Sequence, residues 1–316
     1  MRLGLEIGGS KLQAALGKST GEIVSLDRNT VPDHAEASAI LSWFEESLPR
    51  LINQAAELSS SVESIGVGFG GPVNSATGIV LRSHQVSGWD EFPLRDWFAD
   101  RFNLPVQIQN DSNAAGWAEY CLGSGRDTRH FCYMNIGSGI GGALVIDGHL
   151  HNGQGLGAAE IGHTYIPDPL TARPGAVVKL EDCCSGWSIE RHLHQDAEID
   201  GGSELLRMCG GNRTTLTCAQ LGEAAIKGDE TAIQIITQFA QRIAVALANV
   251  LALVHPERIA IGGGVGLLGE VLLAPLRAEV ERLVFGPYVG KYEIVSCELG
   301  EDVVIRGALL QGETSD

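Results

Sequence analysis

The residues best suited to chemistry are a carboxylate at the end of one apolar run and glycine-rich turns at the ends of four others. Asp111 follows Val106-Gln107-Ile108-Gln109-Asn110, while Gly8-Gly9, Gly70-Gly71-Pro72, Gly137-Ser138-Gly139-Ile140-Gly141-Gly142 and Gly262-Gly263-Gly264 close the runs at 3–7, 65–69, 133–136 and 258–261. Without a Cβ in the way, backbone amides at such turns and at helix starts can wrap an anion. A carboxylate facing the same space can orient a hydroxyl and take its proton. Together these features describe phosphoryl transfer to an acceptor hydroxyl. Taken singly, each has a plainer reading. Asp111 could cap the helix that follows it, the first glycine pairs could be ordinary β-turns, and residues 262–264 could serve close packing of helix on strand.

The elements around these residues narrow the choice. Residues 3–7, 11–16 and 23–26 read as strand, tight turn, strand, turn and strand, with no helix straight after Gly8-Gly9. Dinucleotide and Walker-type sites both need the glycine turn to open a helix, so neither applies. The spacing of Gly137, Gly139 and Gly142 matches GxGxxG, but an apolar run and an Asp147-Gly148 hairpin turn follow, and the same condition fails. Two glycine-turned hairpins, one early in each half, predict a duplicated domain. Helical spacing predicts a long helix over about 229–254, burying Ile233, Ile236, Ile243, Leu247, Val250 and Val254 and stopped by His255-Pro256. A strand near Ile294 and a last helix over about 303–310 end the pattern.

At 316 residues the chain exceeds the roughly 250–300 residues at which single cores stop growing, so two lobes with a cleft are expected. Its 39 acidic against 22 basic residues give a formal charge of -17, which disfavours nucleic acid and anionic membrane surfaces as partners. A phosphorylated ligand must then be held by local amides and a divalent metal. Seven scattered cysteines fit a reducing compartment rather than a disulfide scaffold. The amino terminus carries no apolar leader pattern, and the most apolar stretch, 243–254, is about 12 residues, too short to span a bilayer. A cytoplasmic protein is expected.

Ile7-Gly8-Gly9-Ser10-Lys11, Gly70-Gly71-Pro72-Val73, Asn110-Asp111-Ser112-Asn113-Ala114-Ala115, Gly137-Ser138-Gly139-Ile140-Gly141-Gly142, Glu160-Ile161-Gly162-His163 and Ile261-Gly262-Gly263-Gly264-Val265 stand in one order over nearly the whole chain. In that order and spacing the sequence resembles the ROK-family sugar kinases. The resemblance implies the two-domain α/β fold of actin and hexokinase (ribonuclease H-like), with an interdomain cleft. The expected division is 1–113 plus 299–316 against 114–298. It implies an ATP-dependent hexose kinase acting on glucose or a close relative, with Asp111 as base and Gly71, Asn110, Glu160, His163 and Glu181 on the sugar. Gly8, Gly9, Ser10, Lys11, Gly137, Ser138, Gly139, Gly262, Gly263 and Gly264 would hold ATP, and a homodimer or tetramer is the expected assembly.

Three departures qualify the resemblance. Where most of the family has Asp in the first motif this chain has Glu6, which would reach Mg²⁺ through a water from a shifted position. The cysteine-rich zinc run that often follows the His163 position is missing from 164–179, and Cys183-Cys184 are adjacent, so no zinc site is expected. Gln85, in the 83–89 stretch, stands where the family usually has Asn. Glu6 and the missing zinc run motivate an alternative, a sugar-binding regulatory protein of the same fold with impaired catalysis. Intact Asp111 argues against it. A polyphosphate donor would want a basic track that is absent here.

Overall fold

The structure is a computed structural model that describes residues 1–32, 34–83, 86–168, 173–195 and 197–311. Gln85, singled out in the sequence, lies outside those residues. Strands β1 (Arg2–Ile7), β2 (Lys11–Gly17) and β3 (Ile23–Thr30) form an antiparallel meander, and helix α1 (Ala37–Glu57) leads to β4 (Ser64–Phe69), parallel to β1. The small hairpin β5 (Val73–Asn74) and β6 (Ile79–Val80) and helix α2 (Leu94–Phe102) precede β7 (Val106–Asn110), which pairs parallel with β4. The first sheet therefore has the order β3-β2-β1-β4-β7.

Helix α3 (Asp111–Leu122) leads to the second sheet, begun by β8 (Phe131–Ile136), β9 (Ile140–Ile146) and β10 (His149–Leu150). A hairpin of β11 (Tyr165–Pro167) and β12 (Val177–Lys179) follows, then helices α4 (Leu180–Cys184), α5 (Gly186–Gln195), α6 (Glu204–Met208), α7 (Cys218–Ile226) and α8 (Glu230–Val254). Strand β13 (Arg258–Gly262), the single turn α9 (Gly263–Gly266), α10 (Glu270–Leu283) and β14 (Glu293–Ser296) complete the order β10-β9-β8-β13-β14. Each sheet joins a glycine-turned antiparallel hairpin to a parallel strand, the duplication that the sequence predicts.

Strand β1 alternates Leu3, Leu5 and Ile7 with Gly4 and Glu6, and both its faces are covered. Five of its six residues are buried. One face packs with Phe44 and Leu48 of α1. The other receives the last helix, α11 (Val303–Leu310), whose Ile305 and Leu309 pack with Ala15. Gly4 and Gly66 are partners in register on that second face. A Cβ on Gly66 would lie 1.9 Å from the Ala308 carbonyl oxygen, so α11 rests directly on strand backbone. Helix α3 meets α11 as closely, since a Cβ on Gly307 would lie 2.0 Å from the Ala114 carbonyl oxygen.

The long helix forms as the spacing predicts, with Asp229 accepting from the Ala232 N–H at 2.8 Å and His255 closing it in the left-handed region. The buried stripe differs from the expected one. Ile236, Ile243 and Leu247 are buried with Phe239 and Leu251, but Ile233 is 43% exposed and Val250 and Val254 are only partly covered. The stripe rotates because Ala232, Ile235 and Ala240 share it, residues whose apolar contribution the sequence pattern underweights. At 25 residues the helix is longer than the 12-residue apolar run, and long and apolar enough to cross a membrane by length and composition. Its buried face packs against α4, α7 and α10 in the core of the second sheet.

Candidate functional site

Parallel pairing brings the expected site residues together. Ile7, Phe69 and Asn110 are aligned across β1, β4 and β7, so Gly8, Gly70 and Asp111 leave the sheet side by side. A Cβ on Gly70 would stand 3.3 Å from Asp111 Oδ2 and 3.3 Å from Gly8 Cα, a spacing that explains glycine there. Asn110, not Asp111, is the helix cap, because its Oδ1 accepts from the Ser112 and Asn113 N–H groups at 2.9 and 3.3 Å. Its Nδ2 donates to the Gly71 carbonyl at 3.1 Å and fixes that turn. Asp111 Oδ1 accepts from the Ser112 N–H at 2.7 Å, and Oδ2 faces Gly70.

Two spaces meet at Asp111. A cleft of about 1250 Å³ is lined by Gly9, Ser10, Gly71, Asn110, Asp111, Ser138, Gly139, Glu160, His163 and Glu181. A cavity of about 460 Å³ is lined by Glu6, Lys11, Asp111, Gly262, Gly263 and Gly264. Gly8 and Gly137 line neither, and their amides are committed within the turns. The Gly8 N–H donates to the Lys11 carbonyl at 2.9 Å and the Gly137 N–H to the Gly139 carbonyl at 2.9 Å. Both act as turn formers that present Gly9, Ser10, Ser138 and Gly139.

Glu160 precedes and His163 ends a short 3-10 turn, Ile161–His163, and both are exposed and line the cleft. Glu181, in the first turn of α4, accepts from the Ile140 N–H at 2.8 Å, and a Cβ on Gly139 would stand 2.6 Å from its Oε2. The carboxylate therefore anchors the second glycine hairpin as well as facing the cleft.

Burial pushes the Asp111 carboxyl up from the ordinary 3.8 to about 6, against the Ser112 hydrogen bonds, with nearby Glu160 adding to the rise. Burial likewise raises Glu6 from 4.5 to about 7, although Lys11 Nζ lies 3.2 Å from Glu6 Oε1 and opposes the shift. Asp111 and Asp302 both push Glu6 upward. Among the described residues no group of three or more His, Cys, Asp or Glu side chains could by itself hold a metal. A magnesium ion here would depend on ligand phosphates plus one carboxylate, the usual way that ion is bound. Cys183 and Cys184 are buried in the second core with sulfurs 3.7 Å apart, and all seven cysteines are free thiols.

Three features of the site escaped the sequence reading. Asn135 on β8 lines both spaces and carries no motif signal. Trp187, 65% exposed, and Arg191 form one face of α5 along the cleft, a pairing visible only as an i, i+4 spacing. Glu119 is fully buried on α3 and accepts from Ser124 Oγ at 2.8 Å and the Leu299 N–H at 2.8 Å. It ties the helix that begins with Asp111 to the loop beside the smaller cavity.

The ROK family profile matches residues 2–312. A glucokinase of Thermotoga maritima is 30% identical over 310 residues, covering 97% of this chain and 95% of the relative. The crystal structure of a ROK family glucokinase from Streptomyces griseus in complex with glucose and AMPPNP superposes with a TM-score of 0.80 at 29% identity, over 98% of this chain and 97% of that one. The xylose repressor of Caldicellulosiruptor bescii is 24% identical over 311 residues, 97% of this chain and 76% of the repressor. The architecture is the actin and hexokinase type of α/β fold, and the chain belongs to the ROK family.

Proposed function

We propose that this protein is an ATP-dependent hexose kinase of glucokinase type, working in the cytoplasm as a homodimer or tetramer. The reading rests on one observation above all, the carboxylate of Asp111 at the meeting point of the large cleft and the smaller cavity. The sugar lies in the cleft against Gly71, Asn110, Glu160, His163 and Glu181. The nucleotide lies across the glycine turns and in the cavity beside Gly262, Gly263 and Gly264. Residues 1–113 with 299–316 form one lobe and 114–298 the other.

In the reaction Asp111 takes the proton of the acceptor hydroxyl as that oxygen bonds to the terminal phosphorus and the bridging P–O bond breaks toward ADP. Glu6 would hold a magnesium ion through a water, and the ion supplies neutralisation of phosphate charge when bound. A polyol needs acceptors and donors at its edges, which Glu160, His163 and Glu181 provide.

The deciding assay is coupled ADP release with Mg-ATP over a panel of hexoses and amino sugars. Turnover on at least one hexose supports the kinase reading. Sugar binding without turnover on any would favour the regulator, a role carried by name in the xylose repressor relative.

Two predictions arise from the site. Because Asp111 must be ionised to accept a proton and its pKa is about 6, kcat/KM rises about tenfold per pH unit below that value and levels off above it. A profile flat from pH 5 to 8 would remove Asp111 as base. Glu160→Gln and His163→Ala raise the sugar KM by tenfold or more while the KM for ATP stays within about twofold. Equal changes in both constants would make these residues structural.

A further inference from the structure

The large cleft and the smaller cavity share only three lining residues, Asp111, Ser112 and Asn135. These three residues form the boundary between the two spaces, so a group transferred at Asp111 is flanked by them. Asp111 is an anion there, and Ser112 Oγ already donates to Asp111 Oδ1 at 3.3 Å. Asn135 is different. Its side chain is partly buried and makes no hydrogen bond among the described residues.

The surroundings of Asn135 keep it clear. It is the penultimate residue of β8, paired in register with Gly141 on β9 and Gly262 on β13, so neither neighbouring strand places a side chain beside it. Gly263, at φ +79°, passes so close that a Cβ there would meet Asn135 Oδ1 at 2.4 Å. On the other side, a Cβ on Gly137 would stand 3.7 Å from Asn135 Nδ2 and 4.0 Å from its Oδ1, which places the amide beside the second glycine turn. Charge around this boundary is mostly negative, from Asp111, Glu6 and Glu160. The cation at hand, Lys11, is paired with Glu6 at 3.2 Å.

A transferring phosphoryl group spreads negative charge over three equatorial oxygens while it passes the Asp111 carboxylate. A neutral donor fixed at that point stabilises the charge without reorganising. We propose that Asn135 is a catalytic residue whose Nδ2 donates to an equatorial oxygen of the phosphoryl group in flight. The balance of the step is unchanged. The acceptor oxygen bonds to phosphorus, the bond to the bridging oxygen breaks, ADP leaves with that electron pair, and the hydroxyl proton goes to Asp111. The inference rests on the kinase reading above.

The test compares Asn135→Ala and the isosteric Asn135→Asp with wild type on a hexose that the wild type phosphorylates. Asn135→Ala lowers kcat by about 10²–10³-fold, the usual effect of losing one such donor, with both KM values within about threefold. Asn135→Asp is slower still above pH 7. It recovers in part as pH falls from about 8 toward 6 and the new carboxyl protonates into a donor, a window in which the wild-type rate is level, and below about 6 both lose activity as Asp111 protonates. An alanine variant within threefold of wild-type kcat would overturn the proposal, as would a selective rise in the sugar KM. If the alanine variant does not fold, the pH response of the aspartate variant decides. A wild type inactive on every hexose would instead defeat the kinase reading itself.

Discussion

Asp111→Asn is expected to lower kcat by about 10²–10⁴-fold, the range general base catalysis supplies, while sugar affinity stays within a few-fold. Asparagine keeps the shape and can still accept from the Ser112 N–H, so the change is confined to basicity. The same substitution should stabilise the protein at alkaline pH. The folded pKa of Asp111, about 6, lies above the ordinary 3.8, so the native state holds this proton more tightly than the unfolded chain. Its contribution favours folding fully below the lower value and is lost as pH rises through the upper one. At pH 8 the ionised carboxylate therefore costs the native state up to about 3 kcal/mol, which Asn removes. The variant should melt higher than wild type at pH 8, with the gap closing toward pH 4. Retention of more than about a tenth of the wild-type rate would sink the base assignment, and an unchanged melting temperature at pH 8 would sink the burial argument.

Gly66→Ala carries the largest expected loss of stability. The added Cβ would fall 1.9 Å from the Ala308 carbonyl oxygen and 2.8 Å from its carbon, and both are backbone atoms that no rotamer change can move. Helix α11 must lift off β4, opening contacts along Ile305 and Leu309. Overpacking of this kind costs about 3 kcal/mol, a melting temperature lower by roughly 4–5 °C in a chain of this size. Gly201→Ala is the control, because its Cβ would meet nothing within 4 Å and its φ is ordinary. It should change stability by less than about 0.5 kcal/mol. Equal melting temperatures for the two variants would refute the described seating of α11.

Much of this was legible in the residues because it depends on local chemistry. The Gly8-Gly9 and Gly137–Gly142 turns mark hairpins by their own conformational needs, and the limits of α11 agree with those read from the sequence. The order of six short motifs carried the family. What the sequence could not give was set by alignment across strands. Asp111 and Asn110 are adjacent and both suit a helix cap, and only the hydrogen bonds to Ser112 and Asn113 assign that role to Asn110. Gly8 and Gly137 look as available as Gly9 and Gly139 until their amides are traced into their own turns. Asn135 is silent because its importance comes from two glycines on neighbouring strands and from a boundary between two spaces. Ile233 fits the helical period, yet the packed stripe is turned past it by small residues.

The seating of α11 also sets a timetable for synthesis. The glycine face of β1 and β4 is made by residue 69, and its cover, Val303–Leu310, is translated about 240 residues later. At roughly 5–20 residues per second this is an interval on the order of 10–50 s. Throughout it the nascent amino-terminal sheet has one uncovered face, while the segment that includes the second sheet emerges behind it. The first sheet and the Asp111 helix packed against α11 therefore reach their final form only once residues 303–310 have been made, and a ribosome stalled before residue 303 holds an amino-terminal half that is still open on that side.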